Sequence, residues 1–509
     1  MSAFELFNLD SPLYAKRQGV YPKAVKGFYR QLKWVIMAVT LTIYYVTPWL
    51  RWDRGPYAPD QAVLVDLANR RFYMFSIEIW PQEFYYVAGL LIMAGVGLFL
   101  VTSAVGRAWC GYACPQTVWT DLFVHVERAI DGDRNAQIKL ANAPLSAGKL
   151  GKRALKYAIW LAIAVATGGA WIFYFADAPT LLAEFLSGDA AFVAYATVGV
   201  LTSTTFLLGG FMREQVCIYM CPWPRIQTAM LDEKSLIVTY KDWRGEPRTQ
   251  GLKRTGEPAQ GLKRTQADFP VETIGELAKA RSGDCIDCNQ CVAVCPTGVD
   301  IRNGPQLGCI TCGLCIDACN NVMDQIGRPR GLIDYATLDD AEIEKAGGTA
   351  PSVLKTLLRP RTLIYFTIWA SIGMAMLFSL GERARLDLSV ESDRNPRFVM
   401  LSDGAVRNGY TVKLRNMETR PRSVDITIAG LPGAVLWSDT GSREGAGAAV
   451  RVDLPPDATT RLRMFVAAPG EGEARTDFTM QAVPTDGEPG SNTARAASSQ
   501  LRFERPERP

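Results

Sequence analysis

The hydrophobic positions of this chain are not spread evenly; they are bunched into a few long runs. Four windows, 85–105, 157–176, 190–211 and 362–380, hold no Asp, Glu, Lys, Arg or His. Each is close to the ~20 apolar residues that carry a helix across a bilayer. A fifth, 34–50, is shorter but charge-free, and aromatics extend it on its far side. Buried core helices of such length would show a charged face, so five membrane passes are expected. No small-residue cleavage site follows the first run, which therefore reads as an uncleaved anchor rather than a signal peptide.

After Leu380 the period becomes two. Tyr410-x-Val412-x-Leu414, Val424-x-Ile426-x-Ile428, Val450-x-Val452-x-Leu454, Leu462-x-Met464-x-Val466 and Phe478-x-Met480-x-Ala482 alternate apolar and polar residues, with Gly, Pro and Asp between them. Short strands at this spacing predict an all-β immunoglobulin-like sandwich, and the missing Cys…Trp…Cys signature limits the claim to architecture. Roughly the last 20 residues, rich in charge, Ser and Pro, read as a disordered tail.

Basic residues set the direction of the passes. Lys16, Arg17, Lys23, Lys26, Arg30 and Lys33 precede the first run; Arg107, Arg128, Arg134, Lys139, Lys149, Lys152, Arg153 and Lys156 lie between the second and third. The loop 177–189 has no Lys or Arg. The N-terminus is therefore expected in the cytoplasm and, after five passes, the β-domain in the periplasm. Tyr44, Tyr45, Trp49, Trp52, Trp80, Tyr85 and Tyr86 suit an outer aromatic belt.

Composition sharpens this picture in two places. The net charge of +4 from 55 basic and 51 acidic residues gives no general attraction to nucleic acid. Twelve cysteines stand against one histidine, His125, so metal chemistry here must run on sulfur rather than imidazole. The last cysteine is Cys319, which leaves the β-domain without any; all fall in or next to segments assigned to the cytoplasm, where thiols stay reduced.

Eight cysteines form two blocks. Cys285-x2-Cys288-x2-Cys291-x3-Cys295-Pro296 and Cys309-x2-Cys312-x2-Cys315-x3-Cys319 follow the bacterial ferredoxin pattern, in which the fourth cysteine of each block serves the other cluster. One 4Fe–4S cluster is then expected on Cys285, Cys288, Cys291 and Cys319, the other on Cys309, Cys312, Cys315 and Cys295. Zinc also takes C-x2-C pairs but does not need three close thiols twice over. Asn320 stands where a second proline is common and changes no ligand.

The other four cysteines form two C-x3-C-P pairs, Cys110–Cys114 before Pro115 and Cys217–Cys221 before Pro222. Each follows a returning membrane run and an upstream arginine, Arg107 or Arg213. Cysteines at i and i+4 share a helix face, with the proline expected to end the turn. Packed as a pseudo-symmetric pair, the hairpins would bring four thiols together at the inner membrane edge. Thiolates select Cu(I), zinc or iron–sulfur centres, and Met212 and Met220 add thioether sulfur; the plainer reading is small residues packing helix ends. His125, on an apolar helix, reads as packed or interfacial. Residues 241–282 form a basic linker with GLKRT at 251–255 and 261–265, suited to anionic lipid.

These motifs, GRAWCGYACPQTVW, CIYMCPWPRIQ, RGEPR, GDCIDCNQCVAVCPTGVDIRNG and CITCGLCIDACN, with the Ig-like tail, resemble the cytochrome c oxidase accessory proteins of the CcoG type, also called FixG or RdxA. The resemblance covers nearly the whole chain. It implies an inner-membrane protein of bacteria that reduces Cu(II) to Cu(I) for a haem–copper oxidase. Copper chaperones and oxidase assembly factors would be its partners, and Cys110, Cys114, Cys217 and Cys221 its copper site. Two other readings stand beside it: a quinol-linked ferredoxin-type subunit, and a non-catalytic assembly scaffold. The sequence names no electron donor and leaves the oligomeric state open, a homodimer included. The expected organisation is a cytoplasmic segment 1–33, a four-helix membrane domain 34–240, the linker 241–282, a two-cluster ferredoxin domain 283–335, a linker 336–361, a fifth pass 362–380 and the β-domain 381–509.

Overall fold

The computed structural model describes residues 19–56, 58–248, 283–349, 358–485 and 495–506. Both GLKRT copies of the expected basic linker lie outside them. The chain divides into two compact units, one of 1–49, 63–72 and 79–372, the other of 50–62, 73–78 and 373–509.

Up to residue 230 the helices of the first unit are α1 Phe28–Val46, α2 Tyr85–Val105, α3 Ala108–Tyr112, α4 Pro115–Asp131, α5 Arg134–Asn142, α6 Ala147–Ile172, α7 Ala178–Ser187, α8 Phe192–Thr205 and α9 Trp223–Met230. Short strands β1 Val63–Asp66, β2 Arg71–Met74 and β3 Ile77–Ile79 occupy a loop that the sequence left without elements. Among the described residues four helices are long and apolar enough to cross a membrane: Pro81–Val105, Ala147–Ile172, Phe192–Met212 and Pro360–Glu382. The fifth expected pass falls in α1, whose charge-free part, 34–46, rises only ~20 Å, short of a ~30 Å hydrocarbon core. Lys33, immediately before that part, and Arg30, about one turn earlier, are buried in the protein. The long helices pack through small residues: a Cβ on Gly168 of α6 would stand 3.0 Å from the Val198 carbonyl of α8.

The ferredoxin fold is larger than its cysteine blocks. Strand β4, Ile237–Tyr240, was assigned by sequence to the membrane domain, yet it pairs antiparallel with β5, Ile333–Ala336, Val238 opposite Tyr335. Four residues with no turn signal around them are too short to announce themselves. Between the strands lie the helix Leu314–Ile326 and a core of Val238, Ile301, Ile316, Met323, Leu332 and Ile333, packed with Cys285, Cys291 and Cys319. The Asp317 carboxylate of that helix accepts from the Arg30 and Tyr29 backbone N–H groups at 2.8 and 3.3 Å, satisfying the first turn of α1. The RGEPR segment joins the same fold, Arg244 bonding Asp284 at 2.5 Å, so the linker begins later than expected.

The second unit holds two antiparallel sheets. Strands β6 Leu386–Ser392, β7 Val399–Met400, β8 Val406–Asn416, β9 Arg422–Ala429, β10 Val435–Ser438, β11 Ala449–Leu454, β12 Ala458–Ala468, β13 Arg475–Pro484 and β14 Ala497–Glu504 order as β10-β12-β8-β6, with β7 on β8, and as β11-β9-β13-β14. All five alternating segments are strands, and Tyr410, Val412, Leu414, Val424, Ile426, Met464, Val466 and Met480 fill the shared core. The expected disordered tail is corrected: β14 pairs with β13, and Phe503 is fully buried. Its alternation at Leu501 and Phe503 is brief and flanked by charge, but burying one phenylalanine contributes ~1.5–3 kcal/mol.

Candidate metal centres

The two C-x2-C-x2-C loops repeat each other in backbone as well as in sequence. Asp287 and Thr311, each two residues after the first cysteine, have φ of 50° and 51°. Asn289 and Gly313, each four residues after it, have φ of 56° and 72°. Three of these four are not glycine, and left-handed backbone costs a residue with a Cβ on the order of 1 kcal/mol. The same costly turn adopted twice wraps each loop around a common kind of object.

The blocks then exchange their fourth cysteines. Cys319 stands within electrostatic reach of Cys285, Cys288 and Cys291. Cys295 stands so with Cys309 and Cys315. A small cavity is walled by Cys295, Cys309, Cys312 and Cys315, with Val238 and Ile301 closing it. The donor set, four thiols around a closed apolar space, fits a 4Fe–4S cluster. Burial pushes Cys309 and Cys319 up to about 12 and Cys291 to about 11. Because metal is bound by thiolate, loading either set releases protons. Arg302 braces the first loop, bonding Asp300 at 2.7–2.8 Å and also Asp287.

The four membrane-edge thiols lie within electrostatic reach of one another through Cys110 and Cys217. Cys110 feels the charge of Cys114, Cys217 and Cys221, and burial pushes it up to about 12. Cys217 is pushed up to about 11, again by burial first and then by Cys114 and Cys221. Among the described residues no three His, Cys, Asp or Glu side chains are grouped closely enough to hold a single ion. The prolines do not end the turns as expected. Cys114 is extended, at ψ 129°, and Pro115 opens α4, where its missing N–H costs nothing. Pro222 likewise caps the start of α9. In both pairs the second cysteine's N–H reaches back five residues, Cys114 to the Trp109 carbonyl at 2.9 Å and Cys221 to that of Val216 at 2.8 Å.

The first pair is docked on the ferredoxin fold. A Cβ on Gly111 would lie 2.6 Å from the Ile310 carbonyl and 3.1 Å from the Cys312 Cα, so only glycine admits this approach. The Tyr112 hydroxyl donates to the Cys312 carbonyl at 2.9 Å. Cys110 shares an apolar core with Cys312, Ile310, Val294 and Leu314, Cys315 packing beside it. A residue not singled out by sequence joins the two pairs: Cys110 Sγ donates to Gln227 Oε1 of α9 at 3.0 Å. Gln227 closes the CIYMCPWPRIQ motif and is fully buried, a role its spacing from the cysteines does not announce. His125 is exposed with its ring edge-on to Trp34 at 4.8 Å, and Met220 is exposed as well.

Apolar spanning-length helices, a two-block ferredoxin fold and four further thiols define an iron–sulfur electron-transfer protein. Residues 212–338 match the family described as 4Fe-4S dicluster domain, 87–131 a 4Fe-4S binding domain, and 376–505 the Ig-like fold at the C-terminus of FixG. The chain is 56% identical over 481 residues to the nitrogen fixation protein FixG of Rhizobium meliloti, covering 90% of this chain and 88% of that one. It is 52% and 53% identical to the proteins RdxA and RdxB of Cereibacter sphaeroides, each covering 92% of this chain and 93% of the other. It belongs to the FixG/RdxA family. A crystal structure of a FixG-related protein from Vibrio parahaemolyticus aligns with 24% of this chain and 98% of its own at 18% identity and a TM-score of 0.20, too slight a likeness to argue from.

Proposed function

We propose that this chain is a membrane-bound cupric reductase: it passes single electrons from the ferredoxin fold to Cu(II) held at Cys110, Cys114, Cys217 and Cys221. The observation that carries the reading is the shared core of Cys110, Cys312 and Cys315, with no side chain between Gly111 and the Cys312 backbone. Cys285, Cys288, Cys291 and Cys319 hold one cluster and Cys309, Cys312, Cys315 and Cys295 the other; when bound, these supply one-electron carriers. Copper is the substrate, each Cu(II) taking one electron to become Cu(I). Thiolates favour the softer product, and each 59 mV of preference is tenfold in a one-electron equilibrium.

The electrons come from a cytoplasmic donor, and Cu(I) goes to a copper chaperone or to the assembly factors of a haem–copper oxidase. In this reading α1 is a fifth pass, since Val35, Val39, Ile43 and Val46 line one exposed apolar face suited to lipid. The N-terminus and the ferredoxin fold are then cytoplasmic and the Ig-like domain periplasmic, in a bacterial inner membrane. The test uses the detergent-solubilised holoprotein, reduced without oxygen and then given Cu(II), with a Cu(I)-specific chelator as reporter. The expected result is cluster reoxidation in step with Cu(I), slowed at least ~10-fold in Cys110→Ser/Cys217→Ser while iron content stays intact. Cu(I) appearing equally fast in that variant overturns the assignment and leaves the scaffold.

A further inference from the structure

The charge of Arg107 reaches both sulfur sites. It enters the protein on a turn that requires glycine: Gly106 has φ of +60°, and a Cβ there would meet the Leu236 carbonyl at 2.5 Å. The side chain is 3% exposed. Its Nη1 donates to the Leu307 carbonyl at 2.5 Å, two residues before Cys309, while its buried Nε–H has no partner among the described residues. The groups whose charge it feels are Cys110, Cys309, Cys217 and Cys221. No carboxylate within ion-pair distance of it occurs among the described residues. The other arginines of the region differ: Arg302 is held by Asp287 and Asp300, and Arg213 by Glu127 at 2.7 Å.

A buried guanidinium without a counter-ion is costly unless negative charge arrives beside it. The groups whose charge it feels are thiols of the two sites, and they carry negative charge when they ligate metal. We infer that Arg107 is the shared counter-ion of the Cys309-side cluster and the membrane-edge thiolates, its Nε–H donating to sulfur and its charge raising the reduction potential of both. Reduction adds one electron, hence one negative charge, and a fixed cation close by favours that state. Cu(I) likewise carries less positive charge than Cu(II) and is repelled less. Arg107 is a positioning residue in this scheme; it touches the ligands rather than performing a transfer.

The inference deepens the copper reading at one site but is tested without copper. Potentiometric titration of the holoprotein followed by electron paramagnetic resonance resolves the two clusters, the nearer one identified by the spectral change that Cys309→Ser makes. Arg107→Gln is expected to lower the potential of that cluster by about 59 mV, tenfold in the one-electron equilibrium, and to leave the Cys285/Cys288/Cys291/Cys319 cluster unmoved. Arg107→Lys, which keeps the charge, is expected to hold the potential within about threefold in the same equilibrium. Equal shifts of both clusters, or none, overturn the inference. Should the glutamine protein fail to assemble its clusters, the lysine variant still tests the inference, and a tenfold fall in its one-electron equilibrium overturns charge as the agent. Chelator competition for Cu(I) is the separate arm. If the cluster shifts but Cu(I) is not bound even by the unsubstituted protein, the counter-ion stands and the copper reading falls.

Discussion

The two C-x3-C-P segments begin as near copies and end in different roles. Both follow a returning helix, both put the second cysteine before a helix-opening proline, and both close a five-residue backbone bond. Their inner residues part them. The first reads Cys-Gly-Tyr-Ala-Cys and is pressed against the ferredoxin fold, Cys110, Gly111 and Tyr112 all buried. The second reads Cys-Ile-Tyr-Met-Cys, is π-helical over Val216–Met220, and leaves Tyr219 72% and Met220 55% exposed. The arginines diverge likewise, Arg107 toward sulfur and Arg213 toward Glu127. An internal repeat has thus been split into a side docked on the ferredoxin fold and a side left exposed. The asymmetry follows from one missing Cβ, because a side chain at position 111 would hold the Cys312 backbone away.

Exchanging that position should give the largest effect. Gly111→Ile places a branched side chain where even a Cβ stands 2.6 Å from a carbonyl, a clash on the order of 3 kcal/mol, and should slow cluster-dependent Cu(II) reduction ~100-fold. Ile218→Gly, the reverse change in the second segment, should cost less than ~3-fold. Stopped-flow reoxidation of reduced clusters checks both; equal losses would end the comparison.

A smaller contrast lies one residue on. Tyr112→Phe strips the buried Cys312 carbonyl of a 2.9 Å hydrogen bond and should destabilise the docked segment by ~1 kcal/mol. Tyr219→Phe, at an exposed site, should stay within ~0.5 kcal/mol. Hydrogen exchange of the 108–114 and 216–222 amides distinguishes them.

The smallest effect concerns how the second segment is anchored. Asp232, just past α9, accepts from Arg359 at 2.6 Å and Arg361 at 2.8 Å. Burial alone would raise its pKa, but the bonds from Arg359, Ser235 and Arg361 outweigh burial and hold it at about 2. A depressed carboxylate stabilises the fold above its ordinary value near 4, and that contribution fades as pH falls through about 2. Melting of the detergent-solubilised protein should therefore lose a step between about pH 4 and 2 that Asp232→Asn lacks, with the first segment's amide protection unchanged.

Much was legible before any coordinates. The ligand blocks could be read because cluster chemistry demands fixed spacing, and the sandwich strands because one buried face imposes a period of two. Matching positions in two hairpins suggested that the two pairs lie near each other, and Cys110 is within electrostatic reach of Cys217 and Cys221. Other features left no mark. Strand β4 is only four residues long and finds its partner nearly a hundred residues later, and β14 hides in a polar tail whose one large aromatic, Phe503, completes the core. Gln227 and the choice of Arg107 over Arg213 cannot be read from composition or spacing at all.

The sequence by itself determined which atoms could bind metal, how many centres they could form and which stretches avoid water, because ligand type, ligand spacing and hydrophobic run length are local properties. Tertiary structure alone decided which cysteine pair meets the ferredoxin fold and which arginine loses its carboxylate. Those outcomes depend on distances between segments two hundred residues apart, such as Arg107 to Leu307 and Tyr112 to Cys312. Such distances are set by packing and charge compensation in the whole first unit, and no short window of the chain contains them.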